Sequence, residues 1–302
     1  MNMNRTCIVC KSRENKVVFR EHEVDMLRCS KCGHVFSSWE ADQNYEAFWG
    51  ESSIESEDQF WWDEAHAGMY GDFCRSFIEG KGGKLLDVGC GLGYFVKKVS
   101  RCAGWDAYGY EISPHAVEFA RKKLELENVF AGRVEDSHFA PSSFDIITLW
   151  DVVEHIPDPE PLLAYLLTLL KEDGRLFLHT PNISAQLPKA RLKKLIRGMR
   201  ADLHYIEAKD HVNIYSMKTL AKILHRNGYG DFEFIHLTPV QSVSGSKSRL
   251  LKLAKNAWFH SSVALHRLTF GAMNFDNLFV IARKRALESA SRRVATEQAL
   301  TR

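Results

Sequence analysis

The sequence predicts an α/β protein: a doubly wound, mostly parallel sheet preceded by a small cysteine-rich N-terminal module. Three observations lead to that class. From Lys84 onward, short apolar runs alternate with stretches of helical periodicity, the pattern of a parallel sheet covered by helices on both faces. The first of these runs ends in a turn with glycine at three alternate positions, Gly89, Gly91 and Gly93. Four of the seven cysteines form two Cys-X-X-Cys pairs near the start of the chain.

Length and composition exclude several classes. A chain of 302 residues can hold one large domain with additions, or two modest domains. A formal charge of +2 is too small to imply nucleic-acid binding by itself. No apolar run approaches the roughly 20 residues that span a bilayer. The polar stretch Met1–Arg5 leads straight into Cys7, which predicts no signal peptide. An odd cysteine count with paired spacing favours metal-bound thiolates in a reducing, cytoplasmic setting over a disulfide scaffold.

The elements follow in order. Residues 1–38 carry short β-like runs at Val17–Phe19 and Val35–Phe36. Residues 39–82 are aromatic and acidic, with Trp39, Tyr45, Phe48, Trp49, Phe60, Trp61 and Trp62 spaced for one or two helices. The domain at 83–285 opens with a strand at Leu85–Val88 and a helix around Phe95–Val99. A strand at Ala107–Tyr110 precedes Ser113-Pro114, an N-cap hydroxyl followed by proline at the first helical position; that helix runs to about Glu127. Strands follow at Val129–Ala131 and Phe144–Trp150. Asp158 and prolines 159 and 161 open a helix ending near Lys171, before a strand at Arg175–His179. Ser216 caps a helix that Gly228 stops. Strands at Phe232–Leu237 and Leu278–Ala282 complete the sheet, and residues 286–302 form a polar tail.

The glycine turn carries the chemistry. A buried strand runs into Gly89-Cys90-Gly91-Leu92-Gly93, and Glu111 ends the second strand. Glycine there permits positive φ and close approach of backbone to a ligand, and a carboxylate at the second strand's end can accept hydrogen bonds from ribose hydroxyls. The dinucleotide fingerprint is Gly-X-Gly-X-X-Gly with a pyrophosphate at the helix start. Here Tyr94 stands where its third glycine would fall, and Asp87 lies two residues before the first. An anion at that place opposes a pyrophosphate and suits an ammonium. S-adenosylmethionine carries an ammonium and a sulfonium and no phosphate.

Leu85–Gly93, Glu111 before Ser113-Pro114, Arg133-Val134-Glu135-Asp136 and Asp151-Val152-Val153-Glu154-His155 together resemble the successive motifs of class I S-adenosylmethionine-dependent methyltransferases. Within that class the chain is most similar to the branch containing the ubiquinone-biosynthesis O-methyltransferases, over roughly Trp39–Lys284. The resemblance implies a Rossmann-like sheet of seven strands whose last runs antiparallel. It also implies a cofactor site of Asp87, Gly89, Gly91, Gly93, Glu111 and Ile112, with Glu111 holding the ribose, Val134 and Glu135 flanking the adenine, and Trp150 near the methionine part. Arg133 departs from the Asp or Asn usual in relatives.

Cys7-Ile8-Val9-Cys10 and Cys29-Ser30-Lys31-Cys32 have the spacing of a zinc knuckle. Two turns offering two thiolates each complete a closed tetrahedral site, which is structural rather than catalytic. Cys7, Cys10, Cys29 and Cys32 are therefore the expected zinc ligands, and Gly33 suits the reversed turn. Some sugar C-methyltransferases carry a similar module, although this chain is short for their further C-terminal domain.

Methyl transfer depends largely on positioning, and a base is needed only where the acceptor loses a proton. His155 lies after the fourth strand of the sheet, where such sheets bind ligands; a histidine there also serves as a loop anchor. His204, Tyr205, Glu207, Asp210, His211, Asn213 and Tyr215 form a second polar group, and His211 is the preferred base. Residues 186–215 include a basic segment, Pro188–Arg200, that reads as a lid over an anionic acceptor or as a solvated amphipathic helix. Residues 240–275 interrupt the last hairpin. Leu250, Leu253, Ala254, Ala257, Trp258, Ala264, Leu265 and Leu268 share one helical face there, opposite Lys252, Lys255 and His266. That stripe either packs internally or lies on an anionic membrane, peripheral to its inner face. The acceptor class expected is a small or carrier-linked molecule methylated on oxygen or carbon, with a sugar or glycolipid intermediate preferred. The competing class is a zinc-knuckle nucleic-acid-binding protein or RNA/DNA methyltransferase. The weak charge of residues 1–38 argues against it, as does Trp150-Asp151 in place of the Asn/Asp-Pro-Pro-aromatic signature of amino methylation.

Overall fold

A computed structural model of the chain describes residues 5–39, 54, 59–240, 249–269, 271 and 273–285. The aromatic positions Tyr45, Phe48 and Trp49 and the tail 286–302 lie outside the described residues, as do the side chains of Leu250, Lys252, Ala254 and Lys255.

The N-terminal module is a small antiparallel sheet. Strands β1 (Asn15–Glu21), β2 (Val24–Cys29) and β3 (Val35–Ser37) form a meander. β1 and β3 contain the two predicted runs; β2 was not expected, because its polar Asp25 and Arg28 break the apolar pattern. A helical entry follows, with α1 (Ala67–Phe73) flanked by wider π turns at Trp61–Ala65 and Cys74–Ile78.

The main sheet is the expected doubly wound one. β4 (Gly83–Val88), α2 (Tyr94–Ser100), β5 (Trp105–Glu111), α3 (Pro114–Leu124), β6 (Val129–Ala131), β7 (Phe144–Trp150), α4 (Glu160–Leu169), β8 (Leu170–Thr180), α5 (Ile183–Arg197), β9 (Asn213–Ile214), α6 (Met217–Arg226), β10 (Tyr229–Ile235), α7 (Arg249–Leu268) and β11 (Leu278–Lys284) follow in sequence. Seven of these strands pair in the order β10-β11-β8-β7-β4-β5-β6. β4, β5, β6, β7 and β8 are parallel, and β11 runs antiparallel to both neighbours, as the resemblance implies. The strand order reverses between β4 and β7, and ligands of open parallel sheets bind outside the carboxyl ends of the strands at such a switch point.

Local chemistry fixes the ends of the elements. Ser113 Oγ accepts from the Ala116 amide to cap α3. α3 stops at Leu124, short of the expected Glu127, because Glu125 turns left-handed at φ +57°. Ser216 and Thr219 form a capping box at α6, which satisfies two otherwise orphan amides. β8 starts directly where α4 ends, five residues earlier than its apolar run indicates.

Each sheet face buries its own core. Phe73 and Met69 of α1, Phe95 and Val99 of α2, and Val117 of α3 pack with Trp150, Phe177 and Phe279. Leu163 and Leu166 of α4 and Leu220 and Ile223 of α6 pack with Leu86, Ile147 and Leu178 on the other face. At ~1.5–3 kcal/mol per large apolar side chain removed from water, these layers hold the strand ends rigidly.

The module is stitched to this domain through residues 202–215. β3 pairs with β9, Val35 opposite Ile214 and Phe36 opposite Asn213. The buried Glu21 carboxylate accepts from the amides of Tyr205 (2.8 Å), Ile206 (3.0 Å) and Ala208 (3.1 Å). Arg226 of α6 donates to the carbonyls of Ile8 and Val9, 2.6 Å each.

α7 presents its faces differently from the helical wheel. Ser262 is the buried one of its described side chains, with Phe259 and Val263 partly covered beside it; of the expected inward stripe Leu265 is partly covered, whereas Leu253, Trp258 and Leu268 are exposed. Most of the described stripe is therefore exposed. Phe259 and Val263, which interrupt the polar face in sequence, mark the side that is covered.

Candidate functional site

The β4–α2 turn places backbone at the switch point. Gly89 has φ +71°, and a Cβ there would meet Val152 Cγ2 at 2.5 Å. Gly93 caps α2 at φ +83° with Ala120 and Leu126 against its Cα. Both positions thus need glycine for conformation and for space. Gly91 faces the Trp62 ring. Glu111 locks the turn from below: its carboxylate accepts from the Gly91 amide (2.9 Å) and the Ser113 amide (3.0 Å).

Asp87, at the end of β4, is buried and accepts from Thr148 Oγ1 at 2.6 Å. Burial pushes its carboxyl up to about 8, against the Thr148 hydrogen bond and with help from nearby Glu111. Glu111 is likewise raised by burial, against its backbone hydrogen bonds. Two buried carboxylates without a cationic side chain against them among the described contacts form a site short of positive charge. A ligand bearing an ammonium and a sulfonium fits that deficit; a pyrophosphate does not.

The other expected cofactor residues are arranged along the same edge. Ile112 follows Glu111 and is partly buried. Val134 is buried in a short 3₁₀ turn, Val134–Asp136, beside the partly exposed Glu135. Arg133, the residue that departs from the resemblance, reaches that Glu135 at 3.4 Å and so pairs locally. Trp150 is buried among Tyr70, Phe73, Phe95 and Phe177, and its indole Nε1 has no partner among the described residues.

Beyond β7 the chain turns sharply at Asp151, φ +52°. Asp151 Oδ2 lies 3.0 Å from His179 Nδ1 and 3.9 Å from His66 Nε2, and both imidazoles are buried. Burial alone would raise the Asp151 carboxyl, but His179 and then His66 outweigh it and hold the group well below the usual carboxylate range. Glu154 is buried, accepts from Thr180 Oγ1 at 2.9 Å, and is raised by burial and by Asp151.

His155 and His211 meet edge to face with centroids 4.9 Å apart. His155 Nδ1 lies 3.1 Å from the Asp210 carbonyl, and burial followed by His211 pushes this ring down to about 4. His211 Nδ1 lies 3.1 Å from the Ile206 carbonyl, and its Nε2 is 3.6 Å from Glu207. Glu154, His155 and His211 offer atoms within 4.8 Å of one another, a convergence that sequence spacing does not suggest. Tyr205, Asn213 and Tyr215 are buried toward the N-terminal module.

The four knuckle cysteines converge as expected. All four Sγ atoms lie within 4.8 Å of one another, with Cys7 to Cys32 at 3.5 Å and Cys10 to Cys29 at 3.4 Å. Sulfurs bound tetrahedrally at ~2.3 Å stand about 3.8 Å apart, so the donor set fits zinc. The two turns match: Lys11 donates to the Cys7 carbonyl at φ +58°, and Gly33 to the Cys29 carbonyl at φ +80°.

Sequence reasoning missed the Asp151–His66–His179 cluster. His179 was open to inference, since it closes a core strand at the carboxyl edge. His66 gives no local signal; only the fold brings the helical entry across β7.

The curated relatives are consistent with this architecture. The mitochondrial ubiquinone biosynthesis O-methyltransferase of Schizosaccharomyces pombe is 36% identical over 112 residues, 35% of this chain and 40% of the relative. The ubiquinone biosynthesis O-methyltransferase of Neisseria meningitidis serogroup C is 32% identical over 117 residues, 37% of this chain and 49% of the relative. The chain thus spans about half the length of the curated relatives it matches. Among solved structures, phosphoethanolamine N-methyltransferase 2 of Haemonchus contortus, in complex with phosphomonomethylethanolamine and S-adenosylhomocysteine, superposes with a TM-score of 0.54 at 16% identity. It covers 81% of this chain and 61% of that one, a likeness of fold. A family profile described as a methyltransferase domain matches residues 70–233, more than half of the chain and every strand from β4 to β9. The chain belongs to the methyltransferase-domain family.

Proposed function

We propose that the chain transfers a methyl group from S-adenosylmethionine to an oxygen of a small or carrier-linked acceptor. One observation carries the reading: the glycine turn is locked by Glu111 beside a buried, uncompensated Asp87. Asp87, Gly89, Gly91, Gly93, Glu111, Ile112, Val134, Glu135 and Trp150 would hold the cofactor. Bound there, it supplies a methyl carbon already attached to a good leaving group. The protein contributes position and a water-poor wall of Trp62, Tyr70 and Trp150. Oxygen is the preferred acceptor atom because the curated relatives are named O-methyltransferases; carbon is the alternative.

Cys7, Cys10, Cys29 and Cys32 would hold one structural zinc. The division into a knuckle at 1–38, a helical lead-in at 39–82 and a catalytic domain at 83–285 belongs to the same proposal. α5 and α7 support a carrier-linked, lipid or glycolipid acceptor met at an anionic membrane surface. No helix among the described residues is long and apolar enough to cross a membrane. α5 nonetheless exposes Leu192, Leu195 and Ile196 among lysines and arginines.

Calorimetry with S-adenosylhomocysteine tests the cofactor reading. Binding by the intact chain, weakened in Asp87→Asn and Glu111→Gln, is the expected result; NAD binding with none of S-adenosylhomocysteine would overturn it.

A further inference from the structure

Resting on the methyl-transfer reading, we infer that Asp151 meets the acceptor's hydroxyl and that His66 Nε2 takes its proton, with His179 holding Asp151 in place.

The hydrogen bonds fix where the protons sit. His66 Nδ1 lies 2.6 Å from the Trp61 carbonyl. A carbonyl only accepts, so the Nδ1 of His66 carries the ring proton. In the neutral ring, Nε2 is then a bare lone pair. It is buried, has no partner among the described residues, and faces Asp151 Oδ2 at 3.9 Å. Two acceptors facing each other are a poor arrangement until a proton arrives between them. His179 is set the opposite way. The Asn277 amide donates to its Nε2 at 3.1 Å, which leaves the ring proton on Nδ1, 3.0 Å from the same carboxylate oxygen but out of line for a hydrogen bond. His179 therefore supports Asp151 in its neutral form, while His66 lacks a proton that Asp151 would stabilise. Asp151 thus stands between the open edge of the site and the buried lone pair of His66, a carboxylate that can pass a proton inward, with a second imidazole beside it.

The surroundings favour this use. Asp151 is the member of the cluster that reaches the surface, 27% exposed against 0% for His66 and 1% for His179. Trp62 stacks on the His66 ring at 13°, and the same indole borders Gly91 of the cofactor turn. Val152 covers Gly89 from the residue after Asp151. The cluster thus adjoins the methyl-donor site. His155 and His211 have their Nδ1 atoms beside loop carbonyls instead. The other titratable groups around the cluster are Tyr70, whose ring lies 5.4 Å from His66, with Asp63, Asp87, Cys90, Glu154 and His155.

The step balances. The acceptor oxygen forms a bond to the methyl carbon as the carbon–sulfur bond breaks, and sulfur keeps that electron pair. The O–H pair stays on oxygen, and the proton passes by way of the Asp151 carboxylate to His66 Nε2. It leaves to water when product departs.

The test uses the intact chain with nitrogen-15 histidine. Multiple-bond NMR spectra should show neutral His66 protonated on Nδ1, with Nε2 taking a proton on acidification. In Asp151→Asn the Nε2 resonance of the neutral ring should shift, since an amide donor can then face its lone pair. A neutral His66 protonated on Nε2 overturns the inference, even if the variant does not fold. An unchanged Nε2 resonance in a folded variant does the same. With 3,4-dihydroxybenzoate as probe acceptor, His66→Gln should lower kcat ~10²–10⁴-fold, remove the acid limb of its pH profile and leave KM for S-adenosylmethionine unchanged. Full turnover in His66→Gln with loss in His211→Ala returns the proton to His211. If the native chain fails to bind S-adenosylhomocysteine, the methyl-transfer reading falls, separately from the tautomer result, which needs no ligand.

Discussion

Asp87 links stability to ligand binding. Its folded carboxyl, raised by burial to about 8, lies above the ~3.9 of an unfolded aspartate. Between those values the folded chain binds more protons than the unfolded one, so this group's contribution to stability falls as pH rises from about 4 toward 8. Asp87→Asn removes the burden. It should raise the Tm of the ligand-free chain, more at pH 8 than at pH 5, while weakening S-adenosylhomocysteine binding roughly ten- to a hundredfold, for a charged hydrogen-bonding group worth ~1.5–3 kcal/mol. Below about pH 8 the native chain should release a proton from Asp87 as a cationic ligand binds. Calorimetry in buffers of different ionisation enthalpy measures it, and equal heats after buffer correction would count against an ammonium beside Asp87. Asp87, the glycines and Glu111 were legible in the sequence because they sit on one continuous strand–turn–helix and the strand after it. The Asp151–His66–His179 cluster was not, because its members are spread from residue 66 to residue 179 and meet only through strand order.

Between elements, the N-terminal module and the 202–215 segment depend on each other. The sequence sets a knuckle at 1–38 apart from the domain at 83–285. Instead, β3 pairs with β9, Glu21 satisfies three amides of residues 205–208, and His34 Nε2 lies 3.1 Å from Asn213. β9 is two residues long, too short for any periodicity, and a carboxylate that serves loop amides leaves no mark in sequence. Binding free energy at a closed thiolate site is folding free energy. The chain should therefore purify with one zinc, and chelation should raise amide exchange both in 5–38 and in 202–215 while β4–β8 stay protected. Protection kept across 202–215 after zinc loss would show the two to be independent. Glu21→Gln gives a finer test. It keeps the size of the side chain but replaces one acceptor oxygen with a donor among three buried amides, and should destabilise the 202–215 contact by ~1–3 kcal/mol. Zinc content should not change.

At the scale of the whole molecule, one surface is cationic and apolar together. No acidic residue occurs between Ile183 and Ala201, or between Ile235 and Phe275. The two stretches meet, since Lys189 Nζ sits 5.1 Å over the Trp258 ring. Leu195 and Ile196 on α5 are 82% and 71% exposed, and Leu253 and Trp258 on α7 are exposed as well. Single exposed leucines need no explanation, but large side chains gathered among lysines and arginines suit a surface that is oily and anionic. Each cation near such a surface contributes ~1 kcal/mol, screened by salt. The intact chain should co-sediment with mixed neutral and anionic phospholipid vesicles at low salt and dissociate at high salt, and Trp258 emission should shift to the blue on binding. Leu195→Asp with Ile196→Asp should abolish sedimentation and leave S-adenosylhomocysteine binding unchanged, because neither residue borders the glycine turn. Lys193→Glu with Arg197→Glu should weaken binding and flatten its salt dependence. If the native chain ignores anionic vesicles at low salt, this face is not a membrane contact, and a freely diffusing acceptor becomes the better reading of the site.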